Sequence, residues 1–114
     1  MKKTLLTLIT LIAITTVSAQ KYVGGDISLL TKYEANGAKY FDLNGNSITD
    51  LLTFLKNQGL NSMRVRLFVD PNNATRAEKG QGVCQDIEFV KTLGKKIKDA
   101  GLSFMLDFHY SEPF

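Results

Sequence analysis

Three short stretches hold most of the side chains able to do chemistry. Asp26 closes Gly24-Gly25-Asp26, Arg64 and Arg66 alternate within Arg64-Val65-Arg66-Leu67-Phe68, and Asp107 and His109 alternate within Asp107-Phe108-His109-Tyr110. Residues two apart in an extended strand share a face. Arg64, Arg66 and Phe68 therefore lie together, as do Asp107 and His109. If both faces look toward one centre, a carboxylate, a guanidinium and an imidazole converge there. Such a set can hydrogen-bond a polyhydroxylated ligand from several directions, with Phe68 or Tyr110 as a flat apolar surface for a sugar ring. Simpler roles exist for each residue: His109 as a hydrogen-bonded core histidine, Arg64 as the partner of an acid such as Asp107, and Asp26 as a turn residue binding loop amides.

Other chemistries have weaker support. Cys84 is the single cysteine, so it has no internal disulfide partner, and with the single histidine on another element it suggests neither a zinc site nor a Cys-His nucleophile. Gly24-Gly25 is followed by Asp26, which repels phosphate, so nucleotide binding is disfavoured. Asp42-Leu43-Asn44-Gly45-Asn46 begins like a calcium loop but lacks the later bidentate glutamate, and a turn is expected. Asn73-Ala74-Thr75 is an acceptor sequon, taken here as loop chemistry. No metal and no cofactor are expected.

The elements that must position these residues follow a regular order. Tyr22 to Ile27 reads as a short strand. Ile48, Leu51, Leu52 and Leu55 recur at the spacing of one helical face, with Ser47 and Asp50 as a capping-box-like start and Gly59 as the stop. Asn61 to Val69 is rich in β-formers, with Met63, Val65, Leu67 and Val69 opposite the arginines. A helix is predicted from Asp86 to Ala100, with Ile87, Val90, Leu93 and Ile97 as its apolar stripe and its lysines as a solvated face. Leu102 to Phe108 is a third strand. The class is α/β, in the order β-α-β-α-β. Gly59-Leu60 and Gly101-Leu102 make tight helix-to-strand turns, whereas residues 28–46 and 70–85 are long strand-to-helix connections. That asymmetry suits a (β/α) barrel, or a doubly wound open sheet, with function at the strand C-termini.

Composition sets the outer limits. The chain has 114 residues, 44% hydrophobic and 22% charged, an ordinary globular mixture. Its formal charge of +3 arises mostly at the N-terminus. There Lys2 and Lys3 precede an apolar run from Leu5 to Val17 and the small residues Val17-Ser18-Ala19, the pattern of a secretory signal over residues 1–19. The run is shorter than the roughly 20 residues of a bilayer span, and no cysteine follows for lipoprotein anchoring. Without Lys2 and Lys3, 12 basic residues face 11 acids. The remainder lacks the basic footprint of a nucleic-acid binder and any basic amphipathic helix for membrane adhesion. The expectation is an exported monomer, periplasmic or extracellular in a bacterium, with no stable membrane anchor and no nucleic-acid partner.

Three parallel strands cannot close a barrel, which needs eight strands and about 250 residues. A third strand as hydrophobic as Leu102-Ser103-Phe104-Met105-Leu106 would leave an apolar edge. Residues 20–114 are therefore expected to be the N-terminal portion of a longer enzyme. A small complete domain is the alternative.

Several ordered motifs together resemble one family: Gly24-Gly25-Asp26-Ile27-Ser28, Glu34-Ala35-Asn36-Gly37, Tyr40-Phe41-Asp42 with Asn44-Gly45, Leu55-Lys56 with Gly59-Leu60-Asn61, Arg64-Val65-Arg66-Leu67-Phe68-Val69 and Asp107-Phe108-His109-Tyr110-Ser111. The chain is similar to the opening of glycoside hydrolase family 53, the endo-β-1,4-galactanases. The resemblance implies the N-terminal β-α-β-α-β part of a (β/α)8 TIM barrel that cleaves β-1,4-galactan, the side chain of pectic arabinogalactan, with retention. Retention needs two carboxyl groups about 5–5.5 Å apart; in that family they are glutamates after strands four and seven, and neither position lies within this sequence. No catalytic residue is therefore assigned, and the isolated chain is expected to be inactive. What the resemblance carries over is substrate binding, by Asp26, Arg66, Phe68, Asp107, His109 and Tyr110. Three departures stand out. Phe68 replaces a usual Trp, the loop from Asn72 to Gln85 is longer than in the shorter members, and Ser111 is followed by Glu112-Pro113-Phe114 instead of Asp and an aromatic residue. A small non-catalytic carbohydrate-binding domain, or another retaining β-glycanase of the same barrel type, are the alternatives.

Overall fold

The computed structural model describes Ala19 and residues 21–110. The expected signal segment, apart from Ala19, lies outside the described residues, and so does Ser111–Phe114. In chain order the elements are β1 (Gly24–Asp26), α1 (Leu30–Ala35), β2 (Tyr40–Phe41), β3 (Ser47–Ile48), α2 (Leu51–Asn57), β4 (Ser62–Phe68), a 3-10 turn (Pro71–Asn73), α3 (Arg76–Gly80), α4 (Ile87–Asp99) and β5 (Ser103–His109). β1, β4 and β5 form one parallel sheet with β4 in the middle. The expected β-α-β-α-β succession is its frame, as β1-α2-β4-α4-β5.

Alternation along β4 divides this sheet into two unlike faces. Met63 and Val65 are buried together with Val90, Leu93 and Ile97 of α4 and with Leu30, Leu52 and Leu102. Full burial of a residue such as Leu93 or Ile97 contributes roughly 1.5–3 kcal/mol. α4 comes close over β5 because Gly94 has no side chain: a Cβ there would lie 3.3 Å from the Phe104 ring. Arg64 and Arg66 emerge on the opposite face, which no helix of the described residues covers. Met105 shares that face at the β5 edge and is half exposed.

The two helix-to-strand turns repeat one device. Gly59 and Gly101 both adopt positive φ, the conformation that lets a helix end without steric cost. The following residue then donates its N–H back into the helix, Leu60 to Leu55 at 3.2 Å and Leu102 to Ile97 at 3.1 Å.

Some local expectations are corrected. α2 begins at Leu51, not near Ile48, because Asp50 is its N-cap and accepts from the Thr53 amide; Ser47 and Ile48 instead pair in β3. Asp86 caps α4 in the same way through Phe89. Ile87 is 54% exposed, because a first-turn position projects beyond the sheet that the later stripe covers. Val69 lies outside β4 and is exposed. The long connections hold structure of their own. Residues 28–46 include α1 and the first half of the β2–β3 hairpin, whose turn is closed by Asp42 accepting from the amides of Asn44 and Asn46 at 2.9 and 2.8 Å. Residues 70–85 include the 3-10 turn and α3, the latter with a full Thr75–Glu78 capping box. These two connections touch, since a Cβ at Gly82 would press on the Leu29 side chain.

β1 is bound to β4 at very short range. A Cβ on Gly24 would overlap the Ser62 carbonyl oxygen, whereas nothing lies within 4 Å of one on Gly25. Gly24→Ala should therefore destabilise the fold by about 1–3 kcal/mol or more through overpacking, and Gly25→Ala should change it little. Urea unfolding of the two variants side by side checks this.

Candidate functional site

Strand register builds the site. In the parallel ladders Asp26 lies beside Arg64, Arg66 beside Asp107, and Phe68 beside His109. All six share the face that carries no helix. The shared face read from alternation is thus found for Asp26, Arg66, Phe68, Asp107 and His109.

Arg64 ties the outer strands across the middle one. Its Nε donates to Asp107 Oδ2 at 3.0 Å and its Nη2 to the same oxygen, while Nη1 lies 3.7 Å from Asp26 Oδ2. Arg66 Nε lies 3.4 Å from that Asp26 oxygen. Asp26 Oδ1 accepts from the Ser28 amide at 2.9 Å, and Ser28 Oγ accepts from the Arg66 amide, also at 2.9 Å. Asp26 thus fills the turn role while facing both arginines. Asp26, Arg66 and Asp107 keep 30%, 33% and 29% of their side chains exposed, so solvent screens the pairs and a ligand can reach them. Within the described residues, neither Asp107 Oδ1 nor the terminal nitrogens of Arg66 make a hydrogen bond.

The aromatic residues behave differently. Phe68 is 7% exposed and meets the His109 ring edge-on, with centroids 4.9 Å apart at 62°. It braces the imidazole and offers no open face for stacking, because the connection through Gln85 folds back onto β4, where the Phe68 amide donates to the Gln85 carbonyl at 3.0 Å. Tyr110 lies past the end of β5, 69% exposed, and makes no hydrogen bond to the charged cluster.

Two residues matter more than sequence reasoning gave them. Arg64 holds the centre, and its alternation with Arg66 was the available signal. Ser28 is buried and links Asp26 to Arg66; the only signal was its place two residues after an aspartate, where a side-chain-to-backbone turn is common.

The electrostatics follow from these contacts. The hydrogen bond from Arg64, aided by its charge and by His109 and Arg66, holds the Asp107 carboxyl below the usual carboxylate range, against some desolvation. The same hydrogen bond and charge, with Asp26, raise the Arg64 guanidinium above its ordinary value. Asp107 is therefore an anion at neutral pH, an acceptor and not a proton donor.

Comparison with known proteins completes this picture. The profile of glycosyl hydrolase family 53 matches residues 22–114. The chain belongs to this family. A family relative from Niallia circulans, known as an uncharacterized protein in the bgaB 5′ region, is 38% identical over 90 residues, covering 79% of this chain and 22% of the relative. Arabinogalactan endo-beta-1,4-galactanase A of Emericella nidulans is 36% identical over 97 residues, covering 85% and 25%. A chain from the structures of two fungal β-1,4-galactanases superposes with a TM-score of 0.64 at 31% identity, covering 84% of this chain and 26% of that one. The chain thus spans about a quarter of the length of these family members.

A pH prediction follows for the Arg64–Asp107 pair. A depressed folded pKa gives stability that is present above the ordinary carboxylate range and is lost as pH falls through the folded value. Carbon-detected NMR titration should place the Asp107 midpoint below the usual range in the unaltered chain. Arg64→Gln should move it upward, and an unmoved midpoint would assign the depression to another group.

Proposed function

We propose that residues 20–114 form the N-terminal part of a (β/α)8 TIM barrel in an exported endo-β-1,4-galactanase, one that hydrolyses β-1,4-galactosidic bonds of pectic arabinogalactan with retention. The observation that carries this is the charged cluster that runs from Arg64 toward the C-terminal ends of parallel strands, on the face without helices, in a chain of family 53. In barrel enzymes that end of the strands is where ligands and catalytic groups gather. The galactanase names of the relatives supply the substrate, and the pattern of residues 1–19 supplies export to the periplasm or outside of a bacterium.

On this proposal the chain contributes recognition. Arg66 presents unengaged N–H groups to sugar hydroxyls, Asp107 Oδ1 accepts from them, and His109 is held in place by Phe68. Tyr110 borders the same rim. General acid catalysis needs a carboxyl that is protonated near the working pH, and Asp107 is held in the opposite state by Arg64. By resemblance to family 53, acid/base and nucleophile are assigned to glutamates outside residues 1–114, with the binding residues orienting the bond to be cut.

Two measurements test this. The purified chain by itself should release no new reducing ends from galactan, and turnover by it would refute the assignment of catalysis elsewhere. In a longer polypeptide carrying this segment, Arg66→Ala and His109→Ala should each lower kcat/KM at least about tenfold, the equivalent of one hydrogen bond to a charged group at ~1.5–3 kcal/mol. Thermal unfolding should shift little, since both side chains lie outside the apolar core.

A further inference from the structure

We infer that the groove between the β2–β3 hairpin and helices α1, α2 and α4 is a second saccharide site, which holds a neutral stretch of the same galactan chain away from the charged sheet face. It rests on the galactanase proposal for the identity of the sugar, and on the groove's own chemistry for the kind of ligand. The groove encloses about 720 Å³, within the range of small-molecule sites. None of its walls comes from β1, β4 or β5.

The wall chemistry excludes strongly charged ligands. Lys96 is paired with Glu34 at 3.1 Å. Asp99 is paired with Lys95 at 2.6 Å. Asp50 is occupied as the cap of α2, accepting from the Thr53 amide and from Thr53 Oγ1 at 2.7 Å. Lys39 is the one rim cation with no such partner among the described residues. A rim so nearly compensated gives a phosphate or a polycation little electrostatic gain.

What remains is amphipathic. Ile48 and Ala100 keep half-buried apolar surface on the floor, above Leu30 and Leu52, which are themselves buried in the core. Ser47 and Thr49 offer hydroxyls at the rim, and Tyr40 stands half-buried in the wall. Burial, with Glu34 and Tyr33 nearby, raises the Tyr40 pKa, so its hydroxyl remains a donor. A pyranose has the matching character, with C–H faces for the floor and ring, and hydroxyl edges for the rim. A ring surface with a polar tip suits such contacts. On a polymeric ligand, a second weak contact raises overall retention without any change at the first.

The test is an amide-resolved NMR titration of the chain with β-1,4-galactotetraose to about 10 mM, a range suited to millimolar affinity. Saturable shifts are expected at Tyr40, Thr49, Thr53 and Ala100. Tyr40→Ala should weaken them at least tenfold. Ser47→Lys, which crowds the rim and leaves the floor intact, should do the same if Tyr40→Ala compromises folding. Arg66→Ala should leave them unchanged. Shifts confined to Asp26, Arg66 and His109 would overturn the groove while leaving the galactanase proposal standing. Shifts at the groove alone would support the second site, whatever kcat/KM says of the first. No saturable shift at the groove, an equal response to maltotetraose, or concentration-dependent shifts there without sugar would each overturn it.

Discussion

Everything on the uncovered sheet face depends on one guanidinium. Arg64 stands on the middle strand with a carboxylate on either side, Asp26 of β1 and Asp107 of β5. Without it, two like charges would face each other across a narrow strip of backbone, with Arg66 and His109 left to offset them. With it, the three strands are joined by side chains as well as by their ladders, and the Asp107 carboxyl is held below the usual carboxylate range. The apolar face is held by ordinary burial under α4. The polar face is held by a charge arrangement that water reaches, so its contribution to stability is small and its contribution to geometry is large.

That division of labour separates positioning from chemistry. Ser28, buried beneath the cluster, links the Asp26 turn to the backbone of Arg66. Phe68 limits the tilt of the His109 ring. The atoms without a hydrogen-bond partner among the described residues, Asp107 Oδ1 and the outer nitrogens of Arg66, belong to groups already held by other contacts. Preorganised polar groups of this kind suit the binding of a hydroxyl-rich ligand better than proton transfer.

Much of this was legible in the sequence because period-two alternation and helix-stopping glycines are local signals. The sheet frame, the α4 stripe at Val90, Leu93 and Ile97, the left-handed stops at Gly59 and Gly101, and the shared face of Arg64, Arg66 and Phe68 all follow from neighbours a few residues apart. The failures have a common cause. Ser47 and Asp50 both look like helix caps, and only pairing of Ser47 with Phe41 across the hairpin decides between them. Phe68 has the composition of a sugar platform, but its ring is buried beside His109 of β5 and next to Pro71, Ala74 and Val83 of the following connection. The ordering of residues 28–46 and 70–85 likewise depends on contacts between segments distant in the chain, which no local pattern encodes.

The meeting of Leu29 with Gly82 bears on how this scaffold can diversify. Loops above parallel strands are commonly treated as interchangeable parts, each free to lengthen or shorten alone. Here the two connections are in contact, Leu29 of the first lying against Gly82 of the second. A side chain at position 82 would have to displace Leu29, so the packing of the first connection limits what the second can accept.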